Sequence, residues 1–96
     1  MADLRLTPAA LRDLEGIWDY TVERWGTAQA VQYLDRLNEA LQRLAQAPDS
    51  GQRCDAIRPG YRRRWVEQHA VYYQLRGSTL VVVRVLHQRM DAGLHI

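Results

Sequence analysis

The run Val81-Val82-Val83-Arg84-Val85-Leu86 constrains this chain more than any other stretch. It is almost wholly apolar and rich in β-branched side chains, which favours a packed, pleated strand. A strand apolar on both faces is expected in a central position, with a neighbour on each edge. Gly77-Ser78 lies just ahead and marks a tight turn, so Val71 to Arg76 is expected to pair with the run as a hairpin. Tyr61 to Val66 mixes aromatics with arginines and fits a third, more exposed strand. Together the three predict a small antiparallel sheet.

Upstream, Leu4 to Leu6 is expected as a short edge strand. Thr7 offers a hydroxyl as helix N-cap, and Pro8 suits the first helical position, where a missing N–H costs nothing. Leu11, Leu14, Trp18, Val22 and Trp25 recur at steps of 3 or 4, which predicts one buried helical face. Ile17 and Thr21 widen it. Gly26 is expected to stop this helix and Thr27 to cap the next. There Val31, Leu34, Leu37, Leu41 and Leu44 repeat the pattern until Pro48. A link of about two residues makes the pair an antiparallel hairpin. Pro48 to Gly60 is expected as a long loop. The predicted fold is α+β, a helix hairpin packed on a small antiparallel sheet, in a single domain spanning residues 1–96. The sheet face away from the hairpin is left to solvent or a partner.

Ninety-six residues suffice for one modest core. No apolar run approaches the roughly 20 residues needed to span a bilayer, and no signal peptide is readable, so a cytoplasmic location is expected. The lone Cys54 excludes an internal disulfide and is expected to be a surface or half-buried thiol. All 13 basic residues are arginine. Residues 1–50 carry net −3 and residues 51–96 net +5. A basic half attracts nucleic acid or an acidic protein segment.

Several fragments then fall in a telling order. They are Thr7-Pro8-Ala9-Ala10 leading to Asp13-Leu14, Ile17-Trp18-Asp19-Tyr20, Arg24-Trp25-Gly26, and Ala47-Pro48 with Gly51. Ile57-Arg58-Pro59-Gly60-Tyr61-Arg62-Arg63, His69-Ala70-Val71-Tyr72-Tyr73 and Val83 through Asp91 complete the set. Over nearly its whole length the chain resembles ParE toxins of the RelE/ParE superfamily of type II toxin–antitoxin systems. The resemblance implies a helix hairpin on a small antiparallel sheet. It implies a growth-inhibiting toxin, without a cofactor, that traps DNA gyrase on cleaved DNA. It further implies a ParD-like antitoxin, with a ribbon–helix–helix DNA-binding part and a tail that wraps the toxin. DNA would then be met only through antitoxin or gyrase. One departure is Glu67-Gln68, at a turn where such proteins often place glycine.

The target-binding candidates are His87, Arg89, Met90, Asp91, Leu94 and Ile96, a placement partly implied by the resemblance. The antitoxin-binding candidates are Tyr61, Arg62, Arg64 and Trp65 on the basic strand. The superfamily also holds ribosome-dependent mRNA endonucleases of the RelE type, which supply the alternative. There His87 would serve as acid or base, Arg62, Arg63, Arg64, Arg84 and Arg89 would hold phosphate, and Glu67 or Tyr72 would assist. Strand alternation disperses them. Arg62 and Arg64 share one face and Arg63 the other. His87 and Arg89 are expected to share a face with Val83 and Val85, and Arg84 with Val82 and Leu86, where it would pair with Asp13 or Glu15. No catalytic residue is therefore expected. His69, expected only as the start of a strand, has no ligand spacing to His87, His95 or Cys54, so no metal site is expected. Trp18 and Trp25 are expected in the core, with Tyr20 and Trp65 left open. Asp91 to Ile96 is expected to be dispensable for folding, with Leu94 and Ile96 meeting a partner.

Overall fold

The computed structural model describes all residues, Met1–Ile96. In chain order it runs β1 (Asp3–Leu6), α1 (Pro8–Trp25), α2 (Thr27–Gln46), a 3-10 turn (Pro48–Ser50), β2 (Gln52–Arg53), β3 (Arg62–Val66), β4 (His69–Arg76), β5 (Thr79–His87) and α3 (Ala92–His95). The strands form one sheet in the order β1-β5-β4-β3-β2. The β5 strand has a neighbour on each edge, as its apolar character requires. Its partner β1 runs parallel to it, and every other pairing is antiparallel. The sheet is therefore mixed, and one strand larger than expected. The extra strand, β2, lies inside the expected loop. Its two polar residues carry no strand pattern of their own and are held by Arg62 and Arg63 of β3.

Local signals set the helix ends. Thr7 Oγ1 accepts from the Ala10 amide at 3.0 Å, and Pro8 opens α1. Gly26 takes φ 89° and ψ 167°, a conformation open to glycine alone. It ends α1 and begins α2 by itself, so the link is one residue. Thr27 is already helical and caps nothing.

The buried face of α1 differs from the expected one. Ala10, Ile17 and Thr21 are buried, with Leu14 packed beside them. Leu11, Trp18 and Trp25 are 50%, 36% and 68% exposed. Small residues on the inner face let the helix settle closely on the sheet, and the bulky ones ride on the outer flank. In α2, Leu37, Leu41 and Leu44 are buried as expected, whereas Val31 is exposed. Each fully buried leucine contributes roughly 2 kcal/mol of transfer free energy.

The sheet has a core on each face. Toward the hairpin lie Val71, Tyr73, Leu80, Val82 and Val85. Away from it lie Cys54, Tyr61, Ala70, Tyr72, Leu86 and Ala92, joined by Ile57 and Ile96. The 54–61 loop and α3 thus cover part of the face expected to be open. Cys54 is buried there, and desolvation pushes its thiol up. In the pairing of β4 with β5, Tyr73 opposes Val82 and Tyr72 opposes Arg84, leaving Val83 as an extra, bulged residue. The bulge resets the alternation. Val85 joins Val82 on the hairpin side, and Leu86 joins Val83 on the other. The expected grouping of Val83 with Val85, and of Val82 with Leu86, is therefore wrong.

Beyond Leu6 the edge of β5 has no strand beside it, and α1 takes over. Thr7 Oγ1 donates to the Val83 carbonyl at 2.8 Å. Asp13 accepts from Arg84 Nε and Nη2, both at 2.7 Å, and from the Val85 amide at 2.9 Å. This is the pairing expected of Arg84, now with Asp13 as the partner.

Candidate functional site

At one end of the molecule an open groove of about 1070 Å³ runs between α1, the first turns of α2, the β3–β4 turn and the end of β5. His69, His87, Arg89 and Met90 line it. His69 opens β4, opposite His87 at the end of β5, and the rings meet edge to face with centroids 5.1 Å apart. Tyr33 of α2 brings its hydroxyl against His69 Nδ1. Burial, and then the neighbouring His87, hold His69 down at about 4, against the pull of Asp13. Its imidazole is neutral at pH 7. Burial also pushes the Tyr33 phenol up.

His87 Nδ1 accepts the Arg89 amide at 3.1 Å, which leaves the ring proton on Nε2, facing Gln68 Oε1 at 3.3 Å. Both nitrogens are engaged. Arg89 and Met90 are exposed, and the Arg89 side chain has no protein partner. Tyr33 and His69 had carried no site expectation. The i, i+3 and i+4 pattern of α2 places Tyr33 on the flank beside Leu37, and that was the available signal.

The four antitoxin candidates do not form one surface. Tyr61 is buried at 8% exposure in the far core. Arg62 is spent inside the fold, its Nη1 donating to the carbonyls of Gly51 at 2.8 Å and Asp49 at 3.2 Å. Arg62 and Arg64 oppose Tyr73 and Val71, so both stand on the hairpin side of the sheet. Trp65 stands on the other side, 45% exposed, with the Arg63 guanidinium over its ring at 5.5 Å.

A family model described as "ParE toxin of type II toxin-antitoxin system, parDE" matches residues 4–92. The chain belongs to the ParE toxin family. Toxin ParE1 of Mycobacterium tuberculosis is 53% identical over 92 residues, covering 95% of this chain and 94% of that protein. Toxin ParE1 of Caulobacter vibrioides is 38% identical over 96 residues, covering 100% and 99%. A solved structure titled "Chromosomal ParDE TA system from P. aeruginosa" superposes with a TM-score of 0.80 at 24% identity, covering 91% of this chain and 96% of that one. The last shares the fold. This ParE-family chain is thus the toxin of a type II system, with an antitoxin as partner.

In this toxin the C-terminal segment is docked in part. Asp91 caps α3 by accepting the Gly93 amide at 2.9 Å. Ala92 is buried, and Ile96 packs against the far core. Arg84 donates to the His95 carbonyl at 2.9 Å, and Arg58 to the Ile96 main-chain oxygen at 3.2 Å. Leu94 is 81% exposed. Against the expectation that Asp91 to Ile96 is dispensable for folding stands the packing of Ala92 and Ile96, which complete a core.

Among the residues weighed for RNA cleavage, Arg62 and Arg84 hold internal partners, and Arg63 and Tyr72 face away from His87 and its groove. Glu67 is ion-paired to Arg36 at 2.8 Å. Such a set can bind anions at its rim. Of that set, His87, Glu67 and Arg89 line the groove together, with Glu67 held in its ion pair.

Proposed function

We propose that this toxin arrests growth by binding and poisoning DNA gyrase, with no catalytic step of its own, in the cytoplasm, and that a ParD-like ribbon–helix–helix antitoxin silences it. Membership of the ParE family over residues 4–92 carries this reading. The geometry supports binding through the end of β5 and the C-terminal segment beyond it. Arg89 and Met90 are exposed and line the groove with His87, Leu94 is exposed on α3, and Asp91, Ala92 and Ile96 hold that segment in place. Trp65, exposed on the sheet face away from the hairpin with the Arg63 guanidinium over its ring, supports antitoxin docking on that face, because an amphipathic, acidic tail would cover both charge and apolar surface; Arg64, on the hairpin side, would be a separate contact. Tyr61 would act beneath the Trp65 face by shaping it, and Arg62 by holding the 3-10 turn.

The test is induced expression together with a supercoiling assay. Filamentation, a DNA-damage response and inhibited gyrase are expected. Rapid translation arrest with mRNA cut in the ribosome would overturn this reading in favour of the RelE type of activity.

A further inference from the structure

Arg12, Gly16, Tyr20 and Arg24 step by four along α1 and form one wall of the end groove. At 1.5 Å per residue the two arginines stand about 18 Å apart along the helix. Neither has a hydrogen bond or ion pair to a protein carboxylate, and Arg24 lies over the exposed Tyr20 ring at 5.5 Å. Arg89 faces them from the end of β5. The two carboxylates in the groove are already taken, Asp13 by Arg84 and Glu67 by Arg36. The remaining acids of α1, Glu15, Asp19 and Glu23, form a separate row that does not line the groove. A merely solvated helix face has no need to sort its charges in this way.

Gly16 is the second observation. It sits inside an 18-residue helix, where glycine costs about 1 kcal/mol relative to alanine. A Cβ there would meet nothing within 4 Å, so packing within the chain does not require glycine. What glycine provides is a low point in the wall, where another chain can come close.

We propose that this groove binds single-stranded DNA directly, with phosphates on Arg12, Arg24 and Arg89, bases against the exposed Tyr20 and Trp25 rings, and the strand passing close over Gly16. Unpaired guanidiniums interleaved with exposed aromatics are what a flexible polyanion of stacking rings requires. The choice of DNA over RNA rests on the proposal that gyrase is the target. Direct binding departs from the expectation that DNA is met only through antitoxin or gyrase.

The experiment is fluorescence anisotropy of purified toxin with a labelled oligothymidylate of about 12 nucleotides. Replacing Arg12 and Arg24 by alanine together is expected to weaken binding at least tenfold. It should also flatten the log–log salt slope by about 1.4, from roughly 0.7 per lost phosphate contact. Removing Arg43 and Arg76 instead, the same charge lost away from the groove, is expected to change neither. Gly16→Gln is expected to melt no lower than wild type yet bind at least tenfold more weakly. Equal weakening by the two arginine pairs would overturn the proposal, as would wild-type binding by Gly16→Gln. An oligouridylate of the same length that binds tenfold more tightly would overturn the choice of DNA. Toxin that inhibits gyrase but binds no oligonucleotide would refute the groove and leave the gyrase reading standing. Toxin that binds the oligonucleotide through the groove and leaves gyrase unaffected would do the reverse.

Discussion

At Glu67 the backbone holds φ +53° in a side chain that is not glycine. That conformation costs roughly 1 kcal/mol for an L-residue. The compensating Arg36 bridge is about half exposed at both ends and contributes little. Glu67→Gly is therefore expected to raise the melting temperature by a few degrees, and Glu67→Ala to lower it slightly. At Asp13 the sign is opposite. Asp13→Ala leaves the Arg84 guanidinium and the Val85 amide without their acceptor, at a cost of about 3 kcal/mol, readable as a shifted denaturant midpoint. His69 adds a pH dependence. Its folded value of about 4 lies below the ordinary 6.5, so the unfolded chain binds the proton more readily. The neutral ring's contribution is complete above about pH 6.5 and is lost as pH falls through 4. His87, Asp13 and Tyr33 face the ring, and with partial exposure the effect is on the order of 1–2 kcal/mol. Stability of wild type minus His69→Gln, followed from pH 7 to pH 4, should decline. A flat difference would mean that His69 is not held neutral by the fold.

Among the elements, the 3-10 turn is fastened to β4 by one hydroxyl. Tyr73 Oη donates to the Pro48 carbonyl at 2.7 Å and accepts from the Gly51 amide at 2.9 Å. A Cβ at Gly51 would run into that hydroxyl and ring. Gly51→Ala is expected to cost about 1–3 kcal/mol by overpacking, and Tyr73→Phe about 2 kcal/mol by leaving both main-chain groups unpaired. Thermal melts of the two variants would check this. Much of the architecture at this scale was legible. The valine run, Gly77 and Gly26 declare a strand, a turn and a joint through chemistry that few alternatives satisfy. The inner face of α1 was not. Two stripes share its spacing, and the large apolar side chains of Leu11, Trp18 and Trp25 outweigh the small Ala10 and leave Ile17 and Thr21 as a mere margin, whereas close packing selects these three. The bulge at Val83 was equally hidden, since a slip of phase within three successive valines leaves the composition unchanged. Of the candidate site, the exposed end of β5 could be read. The burial of Tyr61, the internal use of Arg62 and the Tyr33–His69–His87 contact could not, because they depend on which elements meet in space.

For the molecule as a whole, the C-terminal segment joins stability to the proposed target surface, and two substitutions separate them. Ile96→Ala removes a side chain from the far core and is expected to lower the melting temperature. Leu94→Ala alters an exposed residue and is expected to leave the melt unchanged while weakening growth inhibition. Equal toxicity of Leu94→Ala and wild type would remove Leu94 from the target surface. The parallel pairing of β1 with β5 has a consequence in time. Asp3 lies against Thr79, and Leu6 against Val82, so the first strand finds its neighbour 76 positions further along the chain. The Asp13–Arg84 clasp spans 71 positions and waits equally long. Non-local closure of this kind slows folding, because chain entropy is lost before the contacts are gained. On the ribosome, a nascent toxin has its helix hairpin well before its sheet. The end of β5 follows the helix hairpin and the other strands in the chain, so translation delivers the surface proposed to engage the target only after them. A cell making this protein is thus given an interval in which antitoxin already present can meet a chain not yet able to harm.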